Sequence, residues 1–70
     1  MSKSQHLRAR SGETVRASIL ADGQRFRAGE REGVCTCHIH GAPFVRWVLP
    51  DGRESDGLFE LRDVEVEVIS

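Results

Sequence analysis

Seventy residues set the scale: a chain this short builds one domain whose core holds about a dozen apolar side chains, with no room left for a deep substrate cavity. A net charge of −1 and an isoelectric point near 6.3 argue against a dedicated polyanion binder. No apolar run approaches the ~20 residues of a membrane span, and the polar opening Met1 to His6 lacks a secretory signal pattern, so cytoplasmic residence is the expectation.

Residues 1–11 are expected as a flexible N-terminal arm and 12–70 as a single folded domain. From Glu13 onward Val15, Ala17 and Ile19 alternate with Thr14, Arg16 and Ser18, the period-two signature of a half-buried strand. Ala21-Asp22-Gly23-Gln24 reads as a turn, Arg25-Phe26-Arg27 as a short strand, and Gly29 to Gly33 as a polar loop. Val34 to His40 is the next strand; its pleat sends Cys35, Cys37 and Ile39 to one face and Thr36, His38 and His40 to the other. The two cysteines, two apart in an extended run, are expected as reduced thiols.

After a turn at Gly41-Ala42-Pro43, Phe44 to Leu49 is the most apolar strand, with Val45, Trp47 and Leu49 inward and Arg46 outward. Pro50-Asp51-Gly52-Arg53 is a turn with a mechanism: Pro presets its φ, Asp bonds its own backbone and Gly accepts a positive φ. Arg53 to Asp56 is too polar for anything but an exposed strand, and Gly57 to Leu61 has the spacing of one short helical turn. Val64, Val66 and Val68 supply the closing strand. The expected core is Val15, Ala17, Ile19, Cys35, Cys37, Ile39, Val45, Trp47, Leu49, Leu61, Val64, Val66 and Val68.

Five short strands with tight turns, and one short helical turn before the last strand, make an all-β fold. At this length closure into a small barrel removes exposed sheet edges. Val45-Arg46-Trp47, the Pro50-Asp51-Gly52-Arg53 turn and the helical turn before Val64-Glu65-Val66 together resemble the SH3-like small-barrel superfamily, which includes Tudor and KOW modules, over roughly residues 12–69. The resemblance implies a five-stranded SH3-like barrel that binds peptides or nucleic acid. No tyrosine is present, so a Tudor-type aromatic cage would have only Phe and Trp to draw on.

Charge is divided unevenly. Residues 1–31 carry seven basic side chains against three acidic ones, and residues 32–70 carry three against eight. In a fold whose strands interleave, this predicts cross-strand ion pairs. Arg16, Arg25, Phe26, Arg27, Phe44 and Arg46, basic groups interleaved with aromatics, form the expected partner-binding surface. The expected function is a non-enzymatic interaction module that docks on a partner protein, with a nucleic-acid-handling assembly as its candidate setting. Self-association through the same patch also fits the dipolar charge pattern.

One alternative is direct nucleic-acid binding through the Arg-rich N-terminal half, with Phe26 or Phe44 stacking on bases. The other is a zinc-binding module, since Cys35, Cys37, His38 and His40 offer four ligands of the right kind. Against zinc stand the Cys-x-Cys spacing and a pleat that parts the thiols from the imidazoles, so no metal or other cofactor is expected. Catalysis by Cys37 with His38 as its base fails on the same pleat, because neighbours along a strand point oppositely.

Overall fold

The computed structural model describes residues 10–69. They form one antiparallel sheet of six strands, β1 (Thr14–Arg16), β2 (Arg25–Ala28), β3 (Arg31–Ile39), β4 (Ala42–Trp47), β5 (Phe59–Glu60) and β6 (Glu65–Val68), in the order β1-β6-β2-β3-β4-β5. The all-β expectation holds, with six strands in place of five. The sheet is not closed into a barrel: β1 pairs with β6 and β5 with β4, leaving both as edges. Of the expected arm, residues 1–9 lie outside the described residues, while Ser11 Oγ donates to the Ile69 carbonyl at 2.6 Å.

Turn chemistry sets the strand ends. Ile39 faces Ala42 across a two-residue loop in which His40 and Gly41 take φ of 53° and 82°, the type I′ pattern that matches strand twist. The reversal thus comes one residue earlier than expected, and Ala42 and Pro43 already belong to β4. The Pro-Asp-Gly turn works as its chemistry predicts. Gly52 N–H donates to the Leu49 carbonyl at 2.8 Å, Arg53 N–H donates to Asp51 Oδ1 at 3.1 Å, and Gly52 takes φ of 91°.

Val68, Phe26, Gly33 and Trp47 stand opposite one another across β6, β2, β3 and β4, one row of the inner face. Phe26 is fully buried and meets Trp47 edge-on, with ring centroids 5.7 Å apart. Gly33 makes room for that ring: a Cβ there would lie 2.7 Å from Phe26 Cζ and 3.1 Å from the Arg46 carbonyl oxygen. Ala17, Leu20, Cys35, Val45, Leu61, Val66 and Val68 complete the core, and Val15, Ala28 and Trp47 pack against it.

Four expected core residues, Ile19, Ile39, Leu49 and Val64, are exposed, and Cys37 is only half-buried. Strand β1 stops at Arg16 because residues far along the chain take over the next backbone groups. Ala17 N–H donates to the Val64 carbonyl at 2.8 Å and Ser18 N–H to Asp63 Oδ1 at 3.2 Å. Ala17–Ile19 therefore coils into a 3₁₀ turn, which sends Leu20 inward in place of Ile19. In β3 the register shifts between Cys35 and Cys37, a bulge that reverses the alternation for Cys37 and Ile39.

The helical turn expected at Gly57 to Leu61 is also corrected. Phe59–Glu60 pairs with β4 instead, and Leu61 N–H donates to the Pro43 carbonyl at 2.9 Å, so tertiary pairing overrides local spacing.

Candidate functional site

The outer face of the sheet is a lattice of opposite charges. Thr14, Glu67, Arg27 and Glu32 stand in one row across β1, β6, β2 and β3. Arg27 reaches Glu32 at 3.4 Å and Glu67 at 3.5 Å, and Arg25 reaches Glu32 at 3.9 Å. Because the acidic β6 lies between β1 and the basic β2, charge that is separated along the sequence is neutralised in space, as cross-strand pairing requires.

Arg16 donates through Nε to Asp63 Oδ2 at 3.1 Å and through Nη2 to the Asp63 carbonyl at 3.0 Å. The Ser18 N–H above all, with Arg16 beside it, holds the Asp63 carboxyl below its ordinary pKa. Arg46 Nη1 donates to the Ser55 and Asp56 carbonyls at 2.9 and 2.7 Å, tethering the segment that follows the Pro-Asp-Gly turn.

Of the six residues expected to form the partner surface, Arg16, Arg25, Arg27, Phe44 and Arg46 do share the outer side by register. Phe26 does not: it is fully buried in the core and leaves that surface. Arg16, Arg25 and Arg27 already have carboxylate partners, which compensates part of the positive charge of this face, while Arg46 meets neutral carbonyls.

A groove of about 460 Å³ opens at the end of the inner row. Trp47, Val48, Leu49 and Pro50 form its apolar side, and Glu30, Arg31 and Glu32 its charged rim. Arg31 lies two residues before Gly33, diagonally across from Trp47 on the same face, and its guanidinium carbon sits 4.1 Å from the Trp47 ring centroid. Trp47 is half-buried and Leu49 exposed. Among the described residues Glu30 has no ion pair, whereas Glu32 holds two arginines. Sequence reasoning put Trp47 and Leu49 wholly in the core and missed this rim. The available signal was the run Trp47-Val48-Leu49-Pro50, apolar residues continuing past the strand that buries them.

The bulge rearranges the Cys/His cluster. Cys35 stands opposite the buried Val45, Cys37 opposite Phe44, and His38 opposite the buried Pro43. Cys35 and His38 therefore share the inner side, and Cys37 joins Phe44 on the outer. Asp22 completes the group: its Oδ1 lies 3.4 Å from His38 Nδ1, and one ligand atom each from Asp22, Cys35 and His38 lie within 4.8 Å of one another.

Cys37 and His40, two of the four sequence-derived ligand candidates, fall outside this group. Asp22 was missed because only the fold brings its turn against β3. Burial above all, then Asp22 and Cys37, pushes the fully buried Cys35 thiol up to about 11. A sealed, protonated thiol is a poor nucleophile even beside His38.

Set beside known proteins, the chain matches no family model, no curated protein and no solved structure. Among the described residues no helix is long and apolar enough to cross a membrane.

Proposed function

We propose that this protein is a small interaction module that docks a short extended segment of a partner protein in the groove beside Trp47. The observation that carries this reading is an apolar wall beside an acidic group: Leu49 and Pro50 are exposed and Trp47 half-buried next to Glu30, whose carboxylate has no ion pair among the described residues. The segment that fits carries an apolar or aromatic residue for the wall and a basic residue next to it for Glu30. Such sites bind through a few buried anchors, with a polar rim setting orientation. A binding role agrees with the open groove.

The SH3-like resemblance belongs to the same proposal, because Tudor and KOW modules bind peptides or nucleic acid. One antiparallel sheet of six strands agrees with a small all-β module, while the unpaired edges β1 and β5 leave closure of a barrel outside the reading. The carboxylate pairing of Arg16, Arg25 and Arg27 favours a peptide over a phosphate backbone, and the reading moves the contact surface from the outer face to the groove.

Selection from a displayed random-peptide library against the full chain tests the proposal. The expected result is enrichment of peptides with an apolar–basic pair whose binding changes the fluorescence of Trp47, the single tryptophan. Leu49→Ser should abolish that binding, and Glu30→Lys should reverse the preference to an acidic neighbour. Enriched peptides that bind both variants as well as the parent would overturn it.

A further inference from the structure

We propose that Asp22, Cys35 and His38 form a site for one divalent metal ion of the zinc type, with a fourth coordination position open to solvent. The bulge at Thr36 creates the site. In an unbroken strand Cys35 and His38 would point to opposite faces, and the extra residue brings the imidazole to the thiol's side. Asp22 is held against the same spot by the backbone. Gly23 N–H donates to the Cys35 carbonyl at 2.6 Å and Cys35 N–H to the Gln24 carbonyl at 2.9 Å, so the turn that carries Asp22 is clamped to the thiol residue itself. The turn is closed by Gln24 N–H donating to the Ala21 carbonyl at 3.0 Å and by the buried Gln24 side chain, whose Oε1 accepts from Ala21 N–H at 2.9 Å.

The spacing suits a tetrahedral ion. Ligand atoms bonded to zinc at about 2.0–2.3 Å stand about 3.3–3.8 Å from one another. Asp22 Oδ1 and His38 Nδ1 are already 3.4 Å apart, and all three ligand atoms lie within 4.8 Å. Asp22 and His38 are exposed, so rotation of their side chains toward the buried sulfur closes the remaining gap. A thiolate, an imidazole and a carboxylate together favour zinc-type ions over magnesium or calcium, which take oxygen ligands.

Charge also balances. On binding, the thiol proton leaves to solvent, and the dication neutralises one thiolate and one carboxylate, which removes the penalty of a bare anion in the core.

The full chain, stripped with chelator, is titrated with Co²⁺ as the optical probe and then with competing Zn²⁺. Expected are one equivalent of cobalt per chain, a thiolate-to-cobalt charge-transfer band, the visible absorption of tetrahedral cobalt, and displacement by zinc. His38→Ala and Asp22→Ala, at exposed positions, should each weaken binding at least about tenfold with the fold intact by circular dichroism. Cys35→Ala should remove the charge-transfer band, while Cys37→Ser, His40→Ala and His6→Ala should leave the titration unchanged. Two results overturn the proposal: no saturable cobalt binding by the parent chain, or a band that survives Asp22→Ala and His38→Ala yet disappears in Cys37→Ser.

Discussion

Strand β3 behaves as two different strands on either side of Thr36. Before it, from Arg31 to Cys35, every residue follows a simple pleat: Glu32 and Val34 outward, Gly33 and Cys35 inward against Phe26, Trp47 and Val45. After it the pleat is inverted, so that Cys37 joins Phe44 outside and His38 faces inward beside Asp22. The first half is held by a row of interlocking side chains across four strands. The second half is held by its pairing with the start of β4 and by the tight turn at His40-Gly41. One segment is thus built for packing and the other for presenting polar groups at the rim of the core. A single inserted residue separates the two roles.

The packed half should be the more sensitive to substitution. Phe26→Ala removes the centre of the inner row and is expected to cost about 3–5 kcal/mol, read as a lowered urea midpoint. Gly33→Ala, which drives a Cβ to 2.7 Å from Phe26 Cζ, should cost about 1–3 kcal/mol in the same assay. A neutral Gly33→Ala would mean that the ring does not rest where the inner row puts it.

The bulged half should separate the two thiols kinetically. In the native protein iodoacetamide should modify Cys37 at least about tenfold faster than Cys35, and the two rates should converge in denaturant, as followed by mass spectrometry. Equal native rates would place both sulfurs on one face and remove the bulge from the account.

At the turn beyond the bulge, Gly41→Ala meets no neighbouring atom, so its cost is backbone strain alone, about 1–2 kcal/mol. His40→Asn, better suited to the first position of a type I′ turn, should shift the midpoint slightly the other way. The smallest effect belongs to the outer face. Glu32→Ala removes the partner of Arg25 and Arg27 and should cost about 0.2–1 kcal/mol, less still at high salt.

Much of the fold is legible in the residues themselves. The Pro50-Asp51-Gly52 turn needs only its own three side chains and backbone, and it closes as its chemistry requires. Val66 and Val68 alternate with Glu65 and Glu67, and their burial follows. Phe26 was harder to place, because flanking arginines make Arg25-Phe26-Arg27 look like a surface motif. The same alternation that exposes the arginines drives the ring inward, and the glycine that accommodates it lies on another strand.

The candidate sites were less legible still. Glu30 and Arg31 matter only because β3 runs beside Trp47, and Asp22 only because its turn is clamped to Cys35.

The sequence by itself determined the all-β class, the turns at Asp22-Gly23 and Pro50-Asp51-Gly52 and the cross-strand pairing of charge, because turn chemistry and period-two alternation act over a few neighbouring residues. Tertiary structure alone decided the open sheet, the bulge at Thr36, the 3₁₀ turn at Ala17–Ile19 and the inward place of His38. Each of these depends on backbone groups finding partners far along the chain: Ala17 on Val64, Leu61 on Pro43, Cys35 on Gln24. Local pattern carries no information about which distant carbonyl is within reach, and that choice set which side chains meet.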